Sequence, residues 1–226
     1  MLITSRSAAE YHAMFDLTSA DLASATVLDC SAGGSSFVAE GGAARAVAVD
    51  PGYALPPDEL AESVWAGLDS GNRMIAEHAE HFDWSWYGDP ARRVALRSAA
   101  AESFLRDVAE HPGSYLAGVL PHLPLADDSV DLALCSHLLF TWSDLLDADW
   151  HRAALTELVR VARREVRLFP LVVQKSGQPV EFLDELRARL DSAGCRSHVR
   201  EVPYRFQRGG DRMLVVEAAT AKAGIR

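Results

Sequence analysis

One short stretch near the start constrains the fold of this chain more than any other. The apolar segment 25–30 contains Asp29, and small residues fill positions 31–36. A second apolar segment, 45–50, ends on Asp50. This order predicts a buried strand, a tight turn, a helix and a second buried strand that ends in a carboxylate. Two acids about 20 residues apart in such a unit favour a nucleotide-type cofactor site, where the turn approaches the ligand and the second acid binds ribose hydroxyls.

Composition and charge narrow the class of protein. The 226 residues are 49% hydrophobic and 24% charged, which favours one globular domain. No apolar run approaches the roughly 20 residues of a membrane helix, and the first residues do not read as a signal peptide. The net charge of −10 disfavours nucleic-acid binding, because an acidic surface repels phosphate. We expect a small-molecule partner, no nucleic acid and no membrane, and the oligomeric state stays open.

The cysteines bear on compartment and on metal binding. Cys30, Cys135 and Cys195 are scattered along the chain, two of them in apolar strand contexts. They are interpreted as reduced thiols rather than disulfides or metal ligands. This predicts a cytoplasmic protein, and no group of ligands in the sequence suggests a metal site.

Strands alternate with helices along the chain, which predicts an α/β fold: a doubly wound, seven-stranded, mostly parallel sheet with helices on both faces. Strands are predicted at about 25–30, 45–50, 114–119, 130–136, 166–173, 197–206 and 212–219, the last two joined as an antiparallel hairpin through 207–211. Helices are predicted over 7–23 (as one or two), 34–41, 58–79, 89–110, 147–163 and from Pro179 onward. Residues 1–226 form one Rossmann-type domain in this interpretation, with a helical insertion at about 52–113.

Four segments resemble the class I S-adenosylmethionine-dependent methyltransferases. Residues 27–36 resemble the glycine-rich first motif, and Val49-Asp50 resembles the second. Residues 123–132, with the sequence LPLADDSVDL, resemble the LPFPDDSFDLV segment that precedes the fourth strand. The part that follows Glu157 fits the closing half of the family fold. The resemblance implies strand order 3-2-1-4-5-7-6 with strand seven antiparallel.

The resemblance also implies a cofactor, S-adenosyl-L-methionine, and a set of residues around it. Asp50 would hold the ribose, the backbone from Asp29 to Ser35 would line the amino-acid part, and His122 would lie near the adenine. The full set of cofactor-binding candidates is Tyr11, Asp29, Cys30, Ser31, Ala32, Gly33, Ser35, Asp50, Pro51, His122 and Ser136. For Tyr11, simple packing is the alternative.

Three positions depart from the family pattern. Only Gly33 stands at a glycine position of the first motif, since Ser31 and Ser35 replace the other two. Val119 stands where an acid often binds the adenine amine. The glycine pair that often precedes strand five is missing at 162–165. Neither the Asn/Asp-Pro-Pro-Tyr signature of amino-methylating nucleic-acid enzymes nor a Pro-Cys catalytic pair occurs.

Ser136 and His137 end the fourth predicted strand, beside the point where the strand order switches. Ligands of open α/β sheets bind beyond the carboxyl ends of strands at that point. His137 is therefore a candidate general base, with a pKa of about 6.5 if it is unperturbed. The alternatives are a structural histidine or a cofactor contact.

Two further groups have a functional and a structural interpretation. The tryptophans, all in the connections after strands two and four, favour either an apolar substrate pocket or the core of the insertion. The turn that carries Arg205, Arg208 and Arg212 favours either a clamp for a substrate carboxylate or phosphate or a solvated loop.

The leading hypothesis is a methyltransferase that acts on oxygen or nitrogen of a small-molecule acceptor. The alternative is a non-catalytic S-adenosylmethionine-binding or regulatory protein on the same fold, since fold does not determine function. A nicotinamide-dependent oxidoreductase fits less well, because no G-x-G-x-x-G follows the first strand.

Overall fold

A computed structural model describes residues 3–174 and 176–218 of the chain, so the predicted strand end at Ala219 and the ends of the predicted domain lie outside the described residues. Seven strands form one sheet: β1 (Thr26–Cys30), β2 (Arg45–Val49), β3 (Tyr115–Leu116), β4 (Val130–Ser136), β5 (Ala162–Phe169), β6 (Arg196–Glu201) and β7 (Arg212–Glu217). Their order is β3-β2-β1-β4-β5-β7-β6, as predicted. Strand β7 runs antiparallel to β5 and β6, and the other neighbours are parallel.

The helices lie in the connections between these strands. They are α1 (Ala8–Met14), α2 (Ser19–Leu22), α3 (Phe37–Glu40), α4 (Pro57–Glu77), α5 (Pro90–Glu110), α6 (Ala148–Val161) and α7 (Leu183–Ser192). The two long helices between β2 and β3 agree closely with the predicted 58–79 and 89–110. Both begin with proline, which suits the first turn of a helix, and Asp89 caps α5 through the Arg92 amide.

Several predicted boundaries are wrong. The helix predicted at 34–41 is the single turn of α3, because the amides of Gly34 and Ser36 bond to residues 4 and 6 instead of continuing a helix. Strand β3 has two residues rather than six. Strand β5 begins at Ala162 directly after α6, four residues before the predicted start, which explains why no glycine pair stands there. The segment 202–211 is a long connection rather than a tight hairpin turn.

Side chains of the sheet alternate between two apolar layers. Leu28 faces α6 and α7, where it joins Leu158 and Leu190 in one core. Val27 points to the other face and packs in a second core with Tyr11 of α1. This alternation follows from the two-residue period of a strand. Both faces are therefore covered, and ligands can reach the sheet only at its edges.

Candidate functional site

The candidate site lies where β1 separates β2 from β4. Connections leave these strands in opposite directions, so their carboxyl ends border a crevice of the kind that binds ligands in open α/β sheets. Cys30 of β1 lies beside Val49 of β2 on one side and Cys135 of β4 on the other. The predicted residues Asp29, Asp50 and Ser136 therefore meet at one edge.

Asp50 follows β2 directly and binds the backbone on both sides of the crevice. Its Oδ2 accepts the Gly33 amide at 3.0 Å, and its Oδ1 accepts the Gly52 amide at 2.8 Å. Burial raises the pKa of this carboxyl, while the two amides oppose the rise. Only 8% of the side chain is exposed, so the acid joins the turn after β1 to the turn after β2.

Asp29 is more deeply buried than Asp50. Its Oδ1 accepts the Tyr11 hydroxyl at 2.8 Å, whereas Oδ2 has no hydrogen-bond partner among the described residues. Burial raises the pKa of Asp29 to about 7, although the nearby hydroxyls of Tyr11 and Ser35 oppose the rise. A buried carboxylate oxygen without a partner is costly, so this atom is a strong candidate for a ligand contact.

The turn between these acids is covered by the strap, defined as residues 3–7. The Gly34 amide donates to the Thr4 carbonyl at 3.1 Å, and the Ser36 amide donates to the Arg6 carbonyl at 2.9 Å. Gly33 has φ +58°, and a Cβ there would stand 2.8 Å from the Thr4 carbonyl oxygen. The small residues of the turn allow another group to come close, and in this structure that group is the strap.

The remaining amides of the turn are also used. Ser31 and Ala32 donate to the Val49 carbonyl, and Ser35 donates to the Ala32 carbonyl. Every backbone N–H from position 31 to 36 therefore has an acceptor within the chain.

Cys30 is buried, and its contact with Cys135, together with burial, raises the pKa of the Cys30 thiol well above its ordinary value. Pro51 is exposed and opens a short 3₁₀ turn.

Ser136 and His137 lie at the end of β4. The Ser136 Oγ is 2.9 Å from the His137 Nδ1, and the His137 amide donates to the Phe169 carbonyl at 2.7 Å. Burial lowers the pKa of His137 well below 6.5, and the charges of Arg6 and Arg97 lower it further. The imidazole is therefore neutral at physiological pH.

His122 lies apart from the other predicted residues. It is exposed, pairs with Val119 in an isolated bridge, and lines a groove of about 700 Å³. The other walls of that groove come from α6 and α7 and from Pro121, and none of the other predicted site residues lines it. This groove therefore does not connect His122 with the other predicted site residues.

A buried polar cluster that the sequence did not reveal lies beside the crevice. Glu10 of α1 forms a 2.8 Å ion pair with Arg97 of α5 and accepts a hydrogen bond from the Tyr87 hydroxyl. The Tyr204 hydroxyl is 2.8 Å from that of Tyr87. The available signal was the Ser7…Glu10 capping box, in which the glutamate bonds back to the cap.

The arginines of the 202–211 connection contact the chain rather than an open site. Arg205 donates to the carbonyls of Val202 and Tyr204, and Arg208 donates to the Glu80 carbonyl at 3.0 Å. Arg212 lies 3.9 Å from Asp211. These contacts favour the loop interpretation over an anion clamp.

Two tryptophans of the insertion pack on the same connection. Trp84 meets Phe206 edge to face with ring centroids 5.3 Å apart, and Trp86 lies 5.1 Å from the Tyr204 ring. Such pairs supply the insertion with a core of its own.

One group of metal-ligating side chains occurs within the described residues. Ligand atoms of His78, Glu80 and His81 lie within 4.8 Å of one another at the end of α4. The sequence analysis predicted no metal site, and Glu80 and His81 lie between the two helices predicted at 58–79 and 89–110. All three are exposed.

Comparison with known proteins finds one matching family model and several similar proteins. Residues 89–169 match the family model described as "Methyltransferase domain", which spans α5 to β5 and includes the segment 123–132. This match and the observed strand order support a similarity to the class I S-adenosylmethionine-dependent methyltransferases. The predicted resemblance is thereby confirmed, and the strand order matches the family fold.

Individual relatives are more distant. An uncharacterised protein of Methanocaldococcus jannaschii is 26% identical over 210 residues, which cover 92% of this chain and 91% of that protein. An O-methyltransferase family protein of Burkholderia thailandensis is 11% identical with a TM-score of 0.49, covering 92% of this chain and 54% of the other. Magnesium protoporphyrin IX methyltransferase of Synechocystis PCC 6803 is 13% identical with a TM-score of 0.48, covering 93% and 84%.

Across residues 3–174 and 176–218, none of the helices combines the length and the apolar character needed to cross a bilayer.

Proposed function

We propose that this protein is an S-adenosylmethionine-dependent methyltransferase that modifies oxygen or nitrogen of a small molecule. The observation that carries the proposal is the unpartnered Oδ2 of Asp29, buried beside Asp50 at the switch in strand order. An amino-acid ammonium group would satisfy the first acid, and ribose hydroxyls would suit the second.

The donor set fits S-adenosylmethionine at both acids. A carboxylate has about four lone-pair positions, so Asp50 can accept two hydroxyls in addition to the amides of Gly33 and Gly52. Asp29 can accept an ammonium on Oδ2 while Tyr11 holds Oδ1. The turn between the two acids offers the cofactor no unbonded backbone N–H, because each of its amides already donates to an acceptor within the chain. The strap also lies against this turn.

The chemistry that the bound cofactor supplies is an electrophilic methyl group on sulfur. The residues of this chain then have to orient an acceptor and exclude water. Ser136 and His137 border the crevice, and the neutral His137 imidazole can accept a proton from an acceptor hydroxyl or amine. Its low pKa suits an acceptor that is itself acidic, because a weak base removes only a loosely held proton.

The acceptor is proposed to carry a carboxylate or phosphate. Arg93 is 3% exposed, its Nε has no hydrogen-bond partner, and none of the described carboxylates forms an ion pair with it. Its guanidinium instead lies 5.2 Å from the centre of the Phe206 ring and bonds to Asn72. A buried cation without a counter-ion favours an anionic ligand.

Three buried, unpaired cysteines agree with a cytoplasmic location.

A non-catalytic S-adenosylmethionine-binding protein is the second candidate. The observation that favours it is the occupied turn, together with a histidine whose Nδ1 already contacts the Ser136 hydroxyl. Such a protein would bind the cofactor without turnover.

Calorimetric titration with S-adenosylmethionine and with NAD tests the cofactor. Asp50→Ala is expected to weaken S-adenosylmethionine binding about ten-fold or more, because a hydrogen bond to a charged group contributes ~1.5–3 kcal/mol. Asp58→Ala removes an exposed acid at the start of α4 and serves as the matched control. Unchanged affinity in Asp50→Ala contradicts the ribose role. Release of S-adenosylhomocysteine with small anionic acceptors then separates the enzyme from the binding protein.

A further inference from the structure

We propose that the strap, residues 3–7, is a gate that must leave the turn after β1 before the cofactor can reach Asp29 and Asp50. This inference rests on the proposed function, because it concerns access to the same site. In the described conformation the strap occupies the surface that the small residues of the turn leave open.

The first support is the set of hydrogen bonds between strap and turn. Gly34 and Ser36 donate to the Thr4 and Arg6 carbonyls, and directly after the strap the Ala8 amide of α1 donates to the Ser36 hydroxyl at 3.1 Å. These contacts use backbone groups that would otherwise face a ligand. A ligand that needs the same groups has to compete with the strap for them.

The second support is the anchor at Ile3. This side chain is 1% exposed and packs in a core that includes Leu60, Val64 and Leu68 of α4. Its carbonyl lies so close to Gly67 that a methyl group on the glycine would overlap the carbonyl oxygen. Gly67 is therefore the point at which the strap passes over α4.

The third support is that two polar atoms of the strap lack hydrogen-bond partners. The Ser5 hydroxyl and the Arg6 Nε are buried and have no hydrogen-bond partner among the described residues. Water would satisfy both atoms once the strap opened. The closed state is therefore held by backbone bonds, the buried Ile3 side chain and the Ser7–Glu10 capping box, while these two polar atoms of the strap stay unbonded.

An opposite role makes an opposite prediction. If the strap belonged to the finished site, for example with Arg6 bound to a ligand carboxylate, loosening it would weaken binding. A gate that closes the empty site instead lowers the apparent affinity by the fraction of molecules that are open. Loosening a gate therefore strengthens binding.

Gly67→Ala tests the gate, because the added methyl displaces Ile3 without touching the turn or either acid. Gly71→Ala is the matched control, one turn further along α4, where a Cβ meets nothing within 4 Å. We expect S-adenosylmethionine to bind at least ten-fold more tightly to Gly67→Ala, measured by calorimetry, and within two-fold of the parent protein to Gly71→Ala. Ile3→Ala, which removes the anchor itself, should act in the same direction as Gly67→Ala.

Hydrogen exchange at the Gly34 and Ser36 amides reports strap opening independently of the cofactor. Faster exchange in Gly67→Ala and Ile3→Ala with equal or weaker S-adenosylmethionine binding overturns the gate and leaves the proposed function intact. Absence of S-adenosylmethionine binding in all four proteins, with the strap shown to be open in two, overturns the proposed function and the gate together.

Discussion

The Tyr11 hydroxyl donates a 2.8 Å hydrogen bond to Asp29 Oδ1, which joins helix α1 to the end of strand β1. The Tyr11 ring also stacks on Phe37, with ring centroids 5.1 Å apart. Burial raises the pKa of Tyr11 well above 10, so the hydroxyl keeps its proton and remains the donor. One side chain thus covers the buried acid and fixes α1 over the crevice.

Tyr11→Phe should lower the free energy of unfolding by ~1.5–3 kcal/mol at pH 8, where Asp29 is charged, because the stack on Phe37 remains and only the hydrogen bond is lost. Urea denaturation measures the loss. Tyr115→Phe is the control, since its partner Asp107 is partly exposed and water can replace that bond. A loss in Tyr11→Phe no larger than in Tyr115→Phe would mean that the bond contributes little.

The raised pKa of Asp29 predicts a pH dependence of stability. The folded carboxyl has a pKa of about 7, against an ordinary value of 3.8, so the folded state binds the proton more tightly than the unfolded state. Stability from this group is complete below about pH 4 and is lost as the pH rises through about 7, by an amount on the order of 4 kcal/mol. Asp29→Asn carries no titrating group there and should lose less stability than the parent between pH 5 and 8.

Thermal unfolding at pH 5, 6, 7 and 8 checks this prediction. The parent midpoint should fall relative to that of Asp29→Asn over this range, and the two curves should converge toward acid pH. Parallel curves would show that the folded carboxyl titrates in its usual range.

Local patterns predicted most of the fold. Strand β4 has the predicted bounds, Val130–Ser136, because a central parallel strand is buried on both faces and reads as a continuous apolar run. The start of α5 was predicted within a residue because Asp89 and Pro90 form a standard helix beginning. The strand order came with the family resemblance rather than from periodicity.

The strap and the buried cluster could not be predicted in this way. Residues 3–7 have no periodicity, and their position depends on Gly67, which is distant in the sequence. Glu10 and Arg97 are charged residues on helices, where a solvated position is the default interpretation. Only the packing of α1 against α5 makes them partners. The two predicted acids lie at the same edge of the sheet, but the small residues between them lie against the strap.

The ion pair between Glu10 and Arg97 should be essential for stability. Burial alone would raise the pKa of Glu10, but Arg97 and the bond from Tyr87 lower it, so the carboxylate is charged. Arg97→Met leaves that buried charge without its ion-pair partner, although Arg6 still acts on it, and should reduce the free energy of unfolding by ~3–5 kcal/mol. Part of the loss should return in the double variant Glu10→Gln/Arg97→Met.

Arg73→Met is the control for that measurement. Arg73 and Asp69 form a 2.6 Å ion pair on α4 with both side chains largely exposed, and such pairs contribute ~0–1 kcal/mol. Urea denaturation of the single and double variants gives the coupling energy. Similar losses of unfolding free energy in Arg97→Met and Arg73→Met would show that the buried ion pair contributes no more to stability than the exposed one.

His137 has a lowered pKa, and this sets the pH profile expected for methyl transfer. A histidine with an ordinary pKa would lose activity as it becomes protonated near pH 6.5, whereas the neutral, half-buried imidazole of His137 keeps its capacity to accept a proton well below that pH. We therefore expect kcat/KM for an active acceptor to be free of a His137 ionisation between pH 6 and 8. The low pKa is due mainly to burial and also to Arg6 and Arg97, so Arg97→Met should raise it.

His137→Asn tests whether this imidazole accepts the proton at all. Asparagine tolerates the φ of +56° at this position, so the backbone after β4 is kept. Loss of a general base lowers turnover about 10²- to 10⁴-fold, and we expect S-adenosylmethionine affinity to change by no more than about two-fold, because Asp29 and Asp50 are untouched. His122→Asn, in the exposed groove beside α6 and α7, should leave both quantities unchanged. Equal turnover in His137→Asn and the parent would assign His137 a structural role. In that role its backbone amide bonds to the Phe169 carbonyl and its ring contacts the Ser136 hydroxyl.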